Sequence, residues 1–216
     1  MATTIYRKPR TTKYYLQWKG SWAKKPFSTK TVEEVGCGLV AYTNMALEIP
    51  KYEDITPNKF RKYMNQFTEP DHGVLGIHLP EAFEHLGLTN VKDFKGDIVG
   101  GKMRPFYDEM EKGNRIGMIL FQNPLRNIKN KEDIPEGVKY TTIKNDDGTK
   151  TFVQQAPDGE IWCETGHFVA VCGMKKINKT YYLYIKDSGD EEHEGFFSYI
   201  KSMKGCVKWL WTGKIK

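Results

Sequence analysis

Long apolar runs are missing from this sequence. No stretch of its 216 residues is long and apolar enough to cross a bilayer, which excludes a helical membrane span. The opening Met1-Ala2-Thr3-Thr4-Ile5-Tyr6-Arg7-Lys8 lacks the apolar core of a signal peptide. Synthesis in the cytoplasm is therefore expected, and an external target would require delivery by another agent. Cysteine is scarce. Cys37, Cys163, Cys172 and Cys206 are irregularly spaced and form no Cys-x-x-Cys pair, so a disulfide framework is not expected. Internal repeats, low-complexity tracts and a Gly/Pro/Ser-rich linker are also lacking, and one domain over residues 1–216 is expected. No Lys/Arg block interleaves with aromatics, so no nucleic-acid surface is expected. The net charge of +6, from 33 basic and 27 acidic residues, reads first as solubility and second as attraction to a polyanion such as a bacterial wall polymer.

A hydrophobic content of 39% with 13% aromatics is enough for a packed core. The apolar period changes along the chain. Cys37, Leu39, Val40, Tyr42, Thr43, Ala46 and Leu47 suit a buried helix that stops before Pro50. Thr56-Pro57 starts a second helix with Phe60, Tyr63, Met64 and Phe67 on one face. Another runs from about Pro80 to Gly87, and another from Met103 to Glu111. Strands are expected at 116–121, 167–171, 181–185 and 207–211. Residues 122–165 are polar and rich in turns, and the alternating runs 138–143 and 151–155 predict an inserted hairpin. Helices first and strands later give an α+β architecture, with N-terminal helices packed on an antiparallel sheet.

Three elements carry chemistry. Cys37 opens a helix between Gly36 and Gly38, where a thiol is favoured as thiolate. The bland reading is a buried, inert cysteine. His167 opens one strand and Asp187 closes another. A turn centred near Ile177 and Asn178 makes them cross-strand partners within a residue or two of register, about 5 Å apart. That spacing suits a base and its orienting carboxylate, or a chance polar pair. Gln17, upstream between Leu16 and Trp18, can supply an amide to an oxyanion.

The order Gln, helix-opening Cys, strand-opening His, strand-closing Asp is papain-like. The motifs Gln17-Trp18-x-x-x-Trp22-Ala23, Gly36-Cys37-Gly38, Thr56-Pro57, Gly87-Leu88 and Gly166-His167-Phe168-Val169-Ala170-Val171-x-Gly173 resemble the double-glycine (bacteriocin-processing) peptidase-like cysteine peptidases, in the branch found in wall hydrolases and phage lysins. Leu39 stands where that family has Pro or a small residue, and Ser188 where it often has Pro. Asp190 is the alternative orienting group, and the 122–165 insertion exceeds the family's usual length. The resemblance implies a papain-like fold and a cofactor-free cysteine peptidase or amidase. It implies Cys37 as nucleophile, His167 as base, Asp187 as orienter and Gln17 at the oxyanion. The implied substrate is the peptide part of peptidoglycan, reached as a phage lysin or virion-carried enzyme, with targeting left to another subunit or to the insertion. A processing peptidase cutting after small residues and a non-catalytic module of the same fold are the alternatives.

Rival sites are weaker. Cys163, His167 and Cys172 suggest zinc, but His167 and Cys172 are an odd number apart and face opposite sides of a regular strand. His72, His78 and His85 lack tight ligand spacing. Asp146-Asp147-Gly148 is a turn, too short for a calcium loop. Trp209 and Trp211 share one strand face and read as core ahead of ligand stacking. The insertion, ending just before His167, is expected to cover the site as a lid.

Overall fold

Alternation along the middle strands sorts the apolar residues into two layers. In the strand around residue 118, Ile116 and Met118 join one buried cluster, and Ile119 and Phe121 join the other. In the strand that begins at Gly166, Phe168, Ala170 and Cys172 join the first cluster, and Val169 and Val171 the second. Successive side chains of a strand point to opposite faces, so a sheet with both faces covered is dictated.

The computed structural model describes residues 2–95 and 103–216. Strand β1 (Thr3–Arg7) and a small ribbon of β2 (Pro26–Phe27) and β3 (Lys30–Thr31) come first. Helices α1 (Val32–Val35), α2 (Cys37–Ala46), α3 (Pro57–Asn65) and α4 (Leu79–His85) follow. Then come β4 (Thr89–Lys95), α5 (Arg104–Glu111) and β5 (Arg115–Gln122). The insertion contributes a separate ribbon, β6 (Tyr140–Lys144) and β7 (Lys150–Gln154). Strands β8 (Gly166–Ile177), β9 (Thr180–Asp187), β10 (Gly195–Ser198) and β11 (Val207–Lys214) complete the chain. The main sheet runs β10-β9-β8-β5-β11-β4, with β1 added on the far half of β8. Its described pairings are antiparallel. The fold is therefore α+β, as expected.

Helix α2 is the centre of the N-terminal layer. Every residue from Gly38 to Ala46 is buried, because sheet lies on one side and α3 and α4 on the other. Burial of a side chain such as Leu39 or Met45 stabilises by roughly 1.5–3 kcal/mol each. The other sheet face is covered by Phe106 and Met110 of α5, together with Trp162, Tyr199 and Met203.

A buried ion pair fixes the N-terminal segment to this frame. Glu48 and Lys186 have fully buried side chains with Nζ 2.8 Å from Oε1. Lys186 also donates to the Thr11 and Lys13 carbonyls. The second Glu48 oxygen accepts from the Arg7 guanidinium and the Arg10 amide. Asn44 on α2 completes the clamp by accepting from the Tyr15 amide and donating to the Tyr15 carbonyl.

Candidate active site

The thiol sits where two helices meet. Helix α1 ends at Gly36, whose amide donates back to the Val32 carbonyl at 2.7 Å, and α2 begins at the next residue. A Cβ on Gly36 would lie 2.4 Å from that carbonyl oxygen, and one on Gly38 would lie 2.7 Å from the Val74 Cβ. Glycine on both sides of Cys37 is thus required by close packing. Cys37 itself is half-buried.

His167 and Asp187 meet by a diagonal contact. Asp187 pairs across the ladder with Val169, two residues beyond His167. The hairpin turns at Asn178, which has φ 54°, and Lys179. A bulge between Val171 and Gly173 then displaces the register by one. His167 lies on the same face as Val169, and diagonal neighbours on one face are within reach of long side chains. The expected direct pairing is thus corrected to a diagonal one, and the contact forms: His167 Nε2 lies 2.5 Å from Asp187 Oδ1. With Nε2 engaged, Nδ1 is the nitrogen left for Cys37.

Electrostatics follow from this chain of contacts. Burial of Cys37 opposes its thiolate, but hydrogen bonding and charge from His167, then the backbone N–H groups of Phe168 and Gly38, outweigh it and lower the thiol's pKa. Burial also opposes the imidazolium of His167. The Asp187 charge and hydrogen bond, with a contribution from Cys37, push its pKa up to about 10. Asp187 is buried, which disfavours its charge, yet His167, His193 and the Gly189 amide hold it well below the usual carboxylate range. The opposed shifts of Cys37 and His167 favour a thiolate–imidazolium pair at neutral pH. Such a pair can attack a carbonyl carbon and then protonate a leaving amine.

The alternative carboxylate, Asp190, stands 3.7 Å from His193 and contacts it rather than His167. Ser188 occupies the place where the resembling family often has Pro. It is buried and its hydroxyl donates to the Phe168 carbonyl at 3.0 Å, with the Cys37 carbonyl 3.4 Å away. The hydroxyl thus ties the end of β9 to β8 and to the start of α2.

Gln17 is held from both ends. Its backbone N–H donates to the Ser188 carbonyl at 2.6 Å. Its side-chain Nε2 donates to the Glu33 carbonyl at 2.8 Å. One N–H of that side chain is therefore committed to α1.

His193 escaped the sequence reading. Its Nδ1 lies 3.3 Å from Asp187 Oδ2, and its Nε2 lies 2.9 Å from Glu160. Trp162 stacks on its ring at 4.5 Å between centroids. Burial works against its charge, but Asp187 and Glu160 push its pKa up to about 9. Asp187 is thus shared by two imidazoles. Nothing in the sequence couples His193 to a glutamate 33 residues upstream.

The insertion divides into two parts. Ile161 to Glu164 line a hollow with His167, Asp187 and His193, so this end reaches the site as expected. Elsewhere in the insertion, Gln154 of β7, with Val138 and Lys139 ahead of β6, lines a separate hollow against Lys204 and Gly205. Asn123, at the end of β5, anchors the insertion by donating to the Phe152 and Glu164 carbonyls.

The rival sites separate in space. Cys172 is buried on the helix side of β8. His85 stacks on Tyr63 and His78 on Phe67. His72 instead lines the cleft beside Cys37. Among the described residues no group of three His, Cys, Asp or Glu side chains is placed to hold a metal. Trp211 is core, but Trp209, packed on it at 4.6 Å, is half-buried and lines the cleft. Comparisons with protein families, with curated proteins and with solved structures found no match to this chain.

Proposed function

We propose that the chain is a papain-like cysteine hydrolase that cleaves an amide bond through a thioester. The observation that carries the reading is the contact chain from Cys37 through His167 to Asp187, built at a helix start and two strand ends. Cys37 attacks the carbonyl carbon as thiolate. The negative charge on the tetrahedral oxygen is met by the Cys37 backbone N–H and the side-chain amide of Gln17. His167 protonates the departing amine, which breaks the C–N bond and leaves a thioester. His167, now neutral, takes a proton from water as it attacks the thioester, and the Cys37 thiolate returns with the carboxylic acid product. Asp187 holds the ring in position and stabilises its cationic form.

The substrate proposed is the peptide part of peptidoglycan, as for a phage lysin or virion-associated endopeptidase or amidase, with a separate subunit supplying delivery. The resemblance of the Gln17, Cys37 and His167 motifs supports this choice. Mass spectrometry of purified peptidoglycan incubated with the protein tests it. New amine and carboxyl ends made by the wild type and not by Cys37→Ala are expected. Wall peptides left intact by the wild type would exclude this substrate.

A further inference from the structure

The cleft on either side of Gly166 is polarised. On the Cys37 side lies a hollow of about 400 Å³, lined by His72, Gly73–Ile77, Lys95, Arg126, Lys208 and Trp209 among others. Its described lining holds three permanent cations and no carboxylate. On the His167 side lies a hollow of about 300 Å³ whose wall holds three carboxylates, Glu164, Asp187 and Asp190, beside the two imidazoles of His167 and His193.

The cations converge for a topological reason. Strand β11 lies between β5 and β4. Trp209 pairs with both Lys95 and Leu120, which brings Lys208, the end of β4 and the chain leaving β5 to one place. Lys95 Nζ sits 4.5 Å over the Trp209 ring. Burial lowers the pKa of Lys208, and the nearby charges of Arg126 and Lys95 lower it further. Like charges gathered around one hollow repel each other and favour an anion between them.

We infer that this hollow seats a carboxylate carried by the acyl portion of the substrate. The assignment rests on the hydrolase reading, which sets the direction. His167 must reach the leaving amine, so the leaving group extends over the His167 side and the acyl portion lies over the hollow that contains Cys37. The substrate class is therefore a peptide with a free carboxylate, from an acidic side chain or a branch, on the acyl side of the bond that breaks.

Alkylation of Cys37 tests this without a known substrate. Iodoacetate is anionic and iodoacetamide is its neutral counterpart. The ratio of their rates at Cys37, read by peptide mapping of the full chain, should exceed the ratio for glutathione at low salt and fall as salt is raised. In Arg126→Glu/Lys208→Glu the ratio should drop about tenfold at low salt, and in Arg126→Gln/Lys208→Gln by a smaller factor. Both side chains are exposed, and circular dichroism checks that the fold is kept. A selective Cys37 whose ratio ignores both salt and these substitutions would overturn the anion seat and leave the hydrolase reading standing. A Cys37 that alkylates no faster than the other thiols would remove the hydrolase reading and this inference with it.

Discussion

Replacing Asp187 by Asn isolates the charge of the orienting group from its shape. Asp187 Oδ1 is 2.5 Å from His167 Nε2 and accepts from the Gly189 amide at 2.7 Å. The Asn oxygen can keep both of these contacts. Its Nδ2 then faces His193 Nδ1, and His193 accommodates it as the neutral tautomer with its proton on Nε2 towards Glu160. The fold should therefore survive, while the negative charge is lost. The rise of His167 from 6.5 to about 10 corresponds to imidazolium stabilisation on the order of 5 kcal/mol, divided between Asp187 and Cys37. Without the carboxylate, the alkaline limit of the ion pair moves from about 10 down towards 6.5. The midpoint of thiolate formation at Cys37 moves up towards the ordinary thiol value of about 8.5. Iodoacetamide alkylation of Cys37 followed from pH 4 to 10 reads that midpoint directly. On a substrate, kcat/KM at neutral pH should fall by on the order of 10²–10⁴. An alkylation profile that overlays the wild type would refute the claim that Asp187 holds the pair.

Other expectations follow from the same geometry. Iodoacetamide at neutral pH should label Cys37 well before the others, since burial pushes Cys163 up to about 12, Cys206 up to about 11 and Cys172 higher still; equal labelling by peptide mapping would contradict it. Glu48→Gln strands the buried Lys186 charge and should cost about 3–5 kcal/mol, seen as a fall in Tm of roughly 6–20 °C; an unchanged melting curve would show the clamp to be dispensable. Gly38→Ala drives a Cβ to 2.7 Å from that of Val74 and should destabilise by about 1–3 kcal/mol in urea unfolding; a neutral result would mean that the Val74 loop gives way freely. Replacing residues 138–155 with a short Gly/Ser link should leave Cys37 alkylation within about twofold, because the ribbon lines a separate hollow; a large loss would show that it supports the 161–164 wall.

The elements that were legible carry local signals. Gly36 and Gly38 around the thiol, Pro57 in the first turn of α3, and Gly87, with φ 80° just past α4, mark ends whose cause is backbone geometry. Strand β8 was legible in its apolar half, and its extension to Ile177 was not, because Lys175 and Lys176 there are only half-buried. Strands β1 and β4 were missed for the same kind of reason. Both lie at edges, and only Phe94 is buried between them, so neither shows a period. The His167–Asp187 contact was legible to within two residues; the error comes from the turn, which falls at Asn178 and Lys179 and not at 177, and the bulge before Gly173 takes one residue of it back. The convergence of Lys95, Arg126 and Lys208 is a product of strand order, and residues 31 and 82 apart in sequence give no local sign of it.

Digestion of purified wall peptides in ¹⁸O-labelled water tests covalent hydrolysis at Cys37 most directly. The wild type should give a new carboxyl end carrying one ¹⁸O beside a new amine end, and Cys37→Ala should give neither. Cleavage that persists in Cys37→Ala would contradict the assignment of Cys37 as nucleophile.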